Sequence, residues 1–316
     1  MAKAAIGHFL AVAGMPIVRP MITLAHISDV HLAPLPLITP RELASKRLTG
    51  WLNWQFKRRG DMRPETLTAL LGHLKAHNPD MTAVTGDMVN LALDEEILRA
   101  ANWFIGLGSP EKVCAIPGNH DAYVAGALDK ALGAYGNYMR GETLDDQPFP
   151  YVRRLGMVAM IGVSSAVTTP PFFAAGKVGA GQIERLRKLL TLLGAAGYFR
   201  IVMIHHPPHA EFADSRRLGL WDGSDFRAVL KQAGAEMILH GHTHLSSVNA
   251  IPGPSQEIPV IGVAAASAAP EGHDAPGRYN LFRIEKVGSE WTCAMREYGY
   301  QRIGDEIALR LQMRIY

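Results

Sequence analysis

The chain has 316 residues, 48% of them hydrophobic, and a formal net charge of +3. That is enough to bury a sizeable core, as one large α/β domain or two unequal ones, and it excludes a disordered polypeptide. The small charge argues against nucleic acid as the main partner, and no stretch reaches the roughly 18 apolar residues that a membrane-spanning helix needs.

Two cysteines, Cys114 and Cys293, cannot build a disulfide framework, and both sit in apolar segments. Buried free thiols in a reducing, cytoplasmic compartment are the expectation. Lys3 followed by the apolar Ala4–Met15 faintly resembles an export signal, but His8 and Gly14 interrupt it and Met15 and Met21 offer alternative starts. Residues 1–20 are therefore read as an N-terminal extension ahead of a domain spanning 21–316.

Ile22–Ile27 is an apolar run that reads as a central strand, delivering Asp29 and His31 at its C-terminal end. Thr39–Asp61 is unlike its surroundings: Leu48, Trp51, Leu52 and Phe56 recur at helical spacing between Lys46, Arg47, Lys57, Arg58 and Arg59. A helix of that composition, within a basic aromatic insert at 45–60, could lie on an anionic membrane surface or form a lid over a phosphorylated substrate. The preferred reading docks its tryptophans on the core and leaves its charges in water. Arg63-Pro64-Glu65 opens the next helix, with Leu67, Leu70, Leu71 and Leu74 as its buried face and Pro79 beyond its end.

Met81–Thr85 reads as the second strand, ending at Gly86-Asp87, and Lys112–Ile116 as the third, ending at Pro117-Gly118-Asn119-His120-Asp121, with helix Glu95–Leu107 between them. Helix Leu128–Met139 follows, then strand Met157–Val163, an apolar loop at Val167–Gly179 and helix Gln182–Leu193. Strand Arg200–Ile204 runs into His205-His206, helix Ser224–Ala233 takes its serine as N-cap, and the apolar Glu236–Leu239 leads into His240-Gly241-His242-Thr243-His244. Pro259–Ala264, Tyr279–Ile284 and Trp291–Arg296 are strand-like with little helix between them, which predicts a partly antiparallel region. No clean linker interrupts the chain, so one domain is the economical reading.

Three histidines at alternate positions after a strand suit a divalent metal, because neutral imidazoles ligate zinc, iron and manganese well. The strand ends supply, in order, Asp29-x-His31, Gly86-Asp87, Gly118-Asn119-His120-Asp121, His205 and Gly241-His242-x-His244. Beyond the carboxyl ends of strands is where open α/β sheets bind ligands.

From Ile22 to about Ala265 this set resembles the calcineurin-like metallophosphoesterases, and is most similar to the bacterial class III cyclic-nucleotide phosphodiesterases. The resemblance implies a four-layer αββα sandwich of two mixed sheets, with a dinuclear metal site at strand C-termini. It implies that Asp29, His31 and His244 hold one metal, that Asn119, His205 and His242 hold the second, and that Asp87 bridges them. His206 is the rival of His205, which is preferred because it directly follows the strand. His240 is assigned to support or packing, and Asp121 to orienting or charge-balancing His120. Two cations neutralise a phosphodiester and turn a shared water into an in-line nucleophile, while His120 is the candidate acid for the leaving oxygen. Mixed histidine and carboxylate ligation fits two ions of manganese, iron or zinc, without choosing among them.

The expected function is hydrolysis of a small phosphodiester, with cyclic nucleotides among the candidates. The alternatives are a phosphomonoesterase or phospholipid/lipid-phosphate hydrolase, which the insert would serve by peripheral contact with an anionic membrane, and a partner-binding scaffold of the same fold. The scaffold is disfavoured because all seven candidate positions carry competent residues. Of the remaining histidines, His73 and His77 are expected at the surface, and His209 and His273 in loops near the pocket.

Overall fold

A computed structural model describes residues 21–272, 275–301 and 306–316, with the backbone alone at Lys57 and Arg58. The N-terminal extension, His273 and those two basic side chains lie outside the described residues. Strands β1 (Met21–Ile27), β2 (Met81–Val84) and β3 (Val113–Ala115) run parallel and are joined by β10 (Arg278–Val287), β11 (Glu290–Gly299) and β12 (Ala308–Arg314) in the order β12-β11-β10-β1-β2-β3. The second sheet places β4 (Tyr151–Leu155), β5 (Val158–Gly162), β6 (Phe199–Met203), β7 (Met237–His240), β8 (Ser247–Pro252) and β9 (Glu257–Gly262) in the order β4-β5-β6-β7-β9-β8.

Alternation along the second sheet shows how the layers stack, because successive strand residues face opposite sides. Phe199, Ile201 and Met203 of β6 join the core shared with the first sheet, whereas Val202 and Ile204 face a second core. Met237 and Leu239 divide from Ile238 in the same way. The second core is closed by helix Ala180–Ala195, through Ile183, Leu186, Leu189, Leu190 and Leu193, and by helix Gly223–Ala233, through Phe226, Val229 and Leu230. Helices Pro64–Ala76 and Asp94–Leu107 bury Leu67, Leu70, Leu74, Ile97, Ala100 and Phe104 on the first sheet. The result is the four-layer αββα sandwich of two mixed sheets.

Parallel strands β1, β2 and β3 end beside the ends of parallel strands β5, β6 and β7. Backbone pairing continues past the strands: Asp29 N donates to Gly86 O at 3.0 Å, His31 N to Asp87 O at 2.9 Å, Ile116 N to Val84 O at 3.0 Å and Gly241 N to His205 O at 3.1 Å. The turns that carry the candidate ligands are thereby laced to one another.

Four details depart from the sequence reading. Helix Gly223–Ala233 is preceded by Asp222, so Ser224 lies inside its first turn; the Asp222 carboxylate accepts instead from Val178 N and Gly179 N at 3.0 and 2.6 Å. Strands β4, β8 and β12 add edges that weak periodicity concealed, while β10, β11 and β12 form the antiparallel region that was expected. The insert is not one helix but Pro40–Leu43, Arg47–Asn53 and a wider π turn Trp54–Arg58, where Arg59 N reaches Trp54 O at 2.9 Å. Its Trp54 is buried and Trp51 half-buried, yet Leu48, Leu52 and Phe56 are exposed, so only part of the apolar stripe docks on the core. Cys114 and Cys293 are both buried free thiols on separate strands.

Candidate metal centre

Bringing short side chains from five turns to one point demands unusual backbone. Among the described residues, the non-glycine residues with positive φ are Asp29, His31, Asn78, Asp87, Ala92, Phe172, His242 and His244. Five of these eight are candidate ligands. Each left-handed non-glycine residue is disfavoured by roughly 1 kcal/mol or more, and such residues gather where surrounding structure over-determines them for function. The motif glycines answer the crowding: a Cβ on Gly86 would collide with the His205 ring, on Gly118 with the Asp87 carboxylate, and on Gly241 with Ser28 and Asp29.

The side chains form two groups that share one carboxylate. In the first, His31 Nε2 lies 3.2 Å from His244 Nε2, and Asp29 Oδ1 lies 3.4 Å from His244 Nε2. In the second, Asn119 Oδ1 lies 3.1 Å from His205 Nε2 and 2.9 Å from His242 Nδ1. Asp87 Oδ2 stands between them, 3.8 Å from His31 Nε2 and 3.3 Å from His205 Nε2. All seven predicted residues are thus brought together. Asp29, His31, Asp87, Asn119, His205 and His244 are buried, and His242 is partly exposed.

Backbone carbonyls fix which ring nitrogen looks inward. Nδ1 of His31 donates to Val89 O at 3.2 Å and Nδ1 of His205 to Thr85 O at 2.7 Å, while Nε2 of His242 donates to Leu218 O at 2.9 Å. The opposite nitrogens, with lone pairs in the neutral rings, therefore face Asp87, Asn119 and one another, an arrangement that is repulsive unless a proton or a cation lies among them. Burial opposes charge on His205, but Asp87 and Asp29 overcome it and raise its pKa to about 9. Burial also opposes ionisation of Asp29 and Asp87, yet neighbouring imidazoles, His244 for the first and His205 and His120 for the second, hold both well below the usual carboxylate range. His242 is lowered to about 3 by burial and by His205, so it is a neutral donor. Protons and divalent cations compete for these lone pairs, and the donor set of histidines, carboxylates and one amide oxygen fits transition-metal ions.

His206, adjacent to His205, points elsewhere: its Nδ1 meets Ser165 Oγ at 2.7 Å and its Nε2 donates to Ala174 O at 3.1 Å. His240 turns toward Gly262 and gives Nδ1 to Gly241 O at 3.0 Å. Asp121 differs from expectation. Its carboxylate accepts from Gly118 N at 2.8 Å, Asp87 N at 3.1 Å and the Tyr135 hydroxyl at 3.0 Å, so it braces the turn that carries Asp87 and does not orient His120. Burial and then Asp87 raise its pKa to about 7. The His120 ring is oriented by the Asn90 carbonyl, to which Nδ1 donates, and packs between His31 and a stacked Tyr123.

His120 is partly exposed and lines, with Asn119, a cavity of about 310 Å³ whose other walls include Lys46, Asn53, Tyr123 and Phe173. Three of these residues had no sequence signal beyond their place in the insert or the apolar loop. Glu96 was also missed. Its buried carboxylate accepts from Asn90 N, Leu91 N and Leu93 N at 2.8, 3.0 and 3.1 Å, holding the turn whose Val89 and Asn90 carbonyls set His31 and His120. The run Asp94-Glu95-Glu96 marks it only as one acid among three in a helix's first turn. His73 and His77 pack on Tyr279 and Tyr298, on the first sheet, and His209 packs on Phe212.

Residues 22–246 match the family of calcineurin-like phosphoesterases. Over 225 residues, 71% of this chain and 73% of the relative, the sequence is 25% identical to a protein of Synechococcus sp. named as a probable cyclic nucleotide phosphodiesterase. The fold resembles the crystal structure of a dimetal phosphatase from Danio rerio, with a TM-score of 0.61 and 16% identity over 94% of this chain and 100% of that one. It also resembles a purple acid phosphatase from yellow lupin seeds, at TM-score 0.57 and 12% identity over 93% of this chain and 53% of the plant protein. At these identities the two structures speak for the fold alone.

Proposed function

The chain belongs to the calcineurin-like phosphoesterase family, and we propose from that premise that it is a metal-dependent phosphodiesterase. The observation that carries the reading is the single Asp87 Oδ2 between two imidazole groups whose carbonyl-bonded far nitrogens turn their lone pairs inward. Asp29, His31 and His244 would hold one ion, Asn119, His205 and His242 the other, and Asp87 would touch both; manganese, iron and zinc all suit these donors.

Two bound cations would neutralise the phosphate charge and lower the pKa of a water at the site. The chain's own residues do the rest. Asp87 and Asp29, ionised despite burial, set a negative field that selects divalent cations over monovalent ones. His120, at the wall of the substrate cavity, commits Nδ1 to the Asn90 carbonyl, so Nε2 is the nitrogen that would give a proton to the departing alkoxide. Hydrolysis then adds water across one P–O bond, leaving a phosphomonoester and an alcohol.

Nothing in that chemistry depends on the groups attached to phosphorus. Cyclic nucleotides come first in a substrate panel, because the Synechococcus relative is named for them. The decisive test supplies purified protein with manganese and an aryl phosphodiester: turnover and about two bound metals per chain are expected, and Asp87→Ala is expected to lose both. Full turnover in that variant overturns the proposed bridging role.

A further inference from the structure

The surroundings of the metal-ligand cluster narrow the substrate. Among the described residues fifteen large apolar side chains are exposed. Eight of them (Leu37, Leu48, Leu52, Phe56, Phe172, Leu218, Trp221 and Leu245) lie on segments that border the site. Leu48 and Leu52 share helix Arg47–Asn53 with Thr49 and Asn53, which line the cavity beside His120, and Phe172 lines the same cavity. The Leu218 carbonyl holds His242, Leu245 follows His244, and Trp221 N pairs with Gly176 O in the loop that carries Phe172. Leu37 is 99% exposed, Phe56 83% and Phe172 76%. Single exposed apolar residues need no explanation, but a grouping around a polar site does.

A second cavity, of about 920 Å³, opens behind the same insert. Its walls are mixed: Leu35, Leu37, Ile38, Leu43, Trp51 and Met62 give it an apolar side, and Gln55, Arg59, Arg63 and Glu65 a polar one. Trp54 lines both cavities, so the groove and the space beside His120 share one indole as a wall. A cyclic nucleotide carries no alkyl or acyl chain for the larger cavity. An amphiphile does: its phosphate would sit at the ligand cluster while its chain lay along the groove, whose polar side carries Arg59 and Arg63 beside Glu65.

Resting on the phosphodiesterase reading, we propose that the natural substrate is an amphiphilic phosphodiester whose alkyl or acyl chain occupies the groove formed by Leu35, Leu37, Trp51 and Trp54. Chain burial strengthens binding in proportion to the apolar area removed from water, so affinity grows with chain length until the groove is filled.

The test is a series of p-nitrophenyl alkyl phosphates with methyl, hexyl and dodecyl groups, assayed with manganese below their micelle concentrations. In each, water attacks phosphorus and p-nitrophenolate leaves, so the chemistry is constant and only the chain varies. We expect kcat/KM to rise at least tenfold from methyl to dodecyl, mainly through KM. Leu37→Glu, at a site exposed enough not to disturb folding, is expected to reduce the dodecyl advantage at least threefold, and Trp51→Ala to do the same. A flat series overturns the proposal, whether or not the apolar rim turns out to be covered by a second copy of the chain in sedimentation. A rising series that Leu37→Glu leaves untouched also overturns it, because the chain then lies elsewhere. Absence of turnover for every member, the methyl ester included, refutes the phosphodiesterase reading instead.

Discussion

The turns at the strand ends and the insert at 45–60 solve opposite problems. At the strand ends five non-glycine residues are held with positive φ, the backbones are laced together, and three candidate ligand rings are aimed by carbonyls. In the insert the helix is broken into short pieces, Leu52 and Phe56 face outward, and the tethers are few: Arg47 donates to Leu91 O and Ala92 O at 2.9 and 2.6 Å, and Lys46 to Thr169 Oγ1 and Phe173 O at 2.7 and 3.0 Å. Convergent lone pairs need a fixed backbone, since a misplacement of an ångström removes the geometry. Apolar recognition needs area and tolerates adjustment. The difference teaches that the chemistry and the selection of substrate are placed in separate parts of the chain, joined at the turn Asn90–Leu93, which meets both.

The sharpest way to break that division lies within the centre, at two adjacent histidines. His205→Ala is expected to abolish turnover and to remove roughly one metal per chain, read by metal analysis after gel filtration. His206→Ala is expected to retain its metals, because both ring nitrogens serve Ser165 and Ala174. It should instead lower stability by roughly 2–4 kcal/mol in urea unfolding, from the cavity and the unpaired hydroxyl left behind. The opposite pattern would exchange their roles.

A smaller effect separates proton delivery from metal binding. His120→Asn is expected to reduce kcat on the order of 10²-fold for an ester with an alkyl leaving group, the lower end for loss of a general acid. For the p-nitrophenyl ester, whose phenolate departs unprotonated, the loss should be under tenfold, with metal content unchanged. Equal losses on both esters would make His120 a structural or ligating residue.

Much of the first region was legible in the sequence and little of the second. Asp29, His31, Asp87, Asn119, His205, His242 and His244 could be read because each follows an apolar run short enough to be a strand, and strand ends collect ligands. The partners that aim them could not. A carbonyl carries no sequence signal, and Asp121 looks equally suited to His120 or to the amides of Gly118 and Asp87, which it bonds. Adjacent His205 and His206 are told apart by Ser165, which lies 41 positions from His206. In the insert, helical spacing was present but the turn at Trp54 widened to the π form, because burying Trp54 against Met62, Ala265 and Ala268 outweighed a continuous apolar face. Edge strands β4, β8 and β12 escaped notice because half-solvated edges mix polar with apolar residues; β8, for instance, buries only Ile251.

The mildest perturbation addresses the joint between the regions. Glu96 takes three backbone N–H groups on two carboxylate oxygens, and the turn it holds is the one that Arg47 of the insert grips from outside. Glu96→Gln keeps the volume but replaces one acceptor with an amide that can only donate, leaving one or two N–H groups facing a donor. A stability loss of about 1–3 kcal/mol is expected from those unmet bonds. The Asn90 carbonyl, and with it the His120 ring, should lose its fixed position, so kcat on the alkyl-leaving ester is expected to fall roughly three- to tenfold while metal content holds, less than the roughly 10–100-fold typical when a direct partner of a site residue is removed, because Glu96 acts one step further out. Measuring the dodecyl to methyl ratio of kcat/KM in the same variant then asks whether the groove feels the turn. An unchanged ratio means that the insert recognises the chain independently of the turn. A reduced ratio means that Arg47, through Leu91 and Ala92, carries the position of the insert to His120, and the two regions act as one.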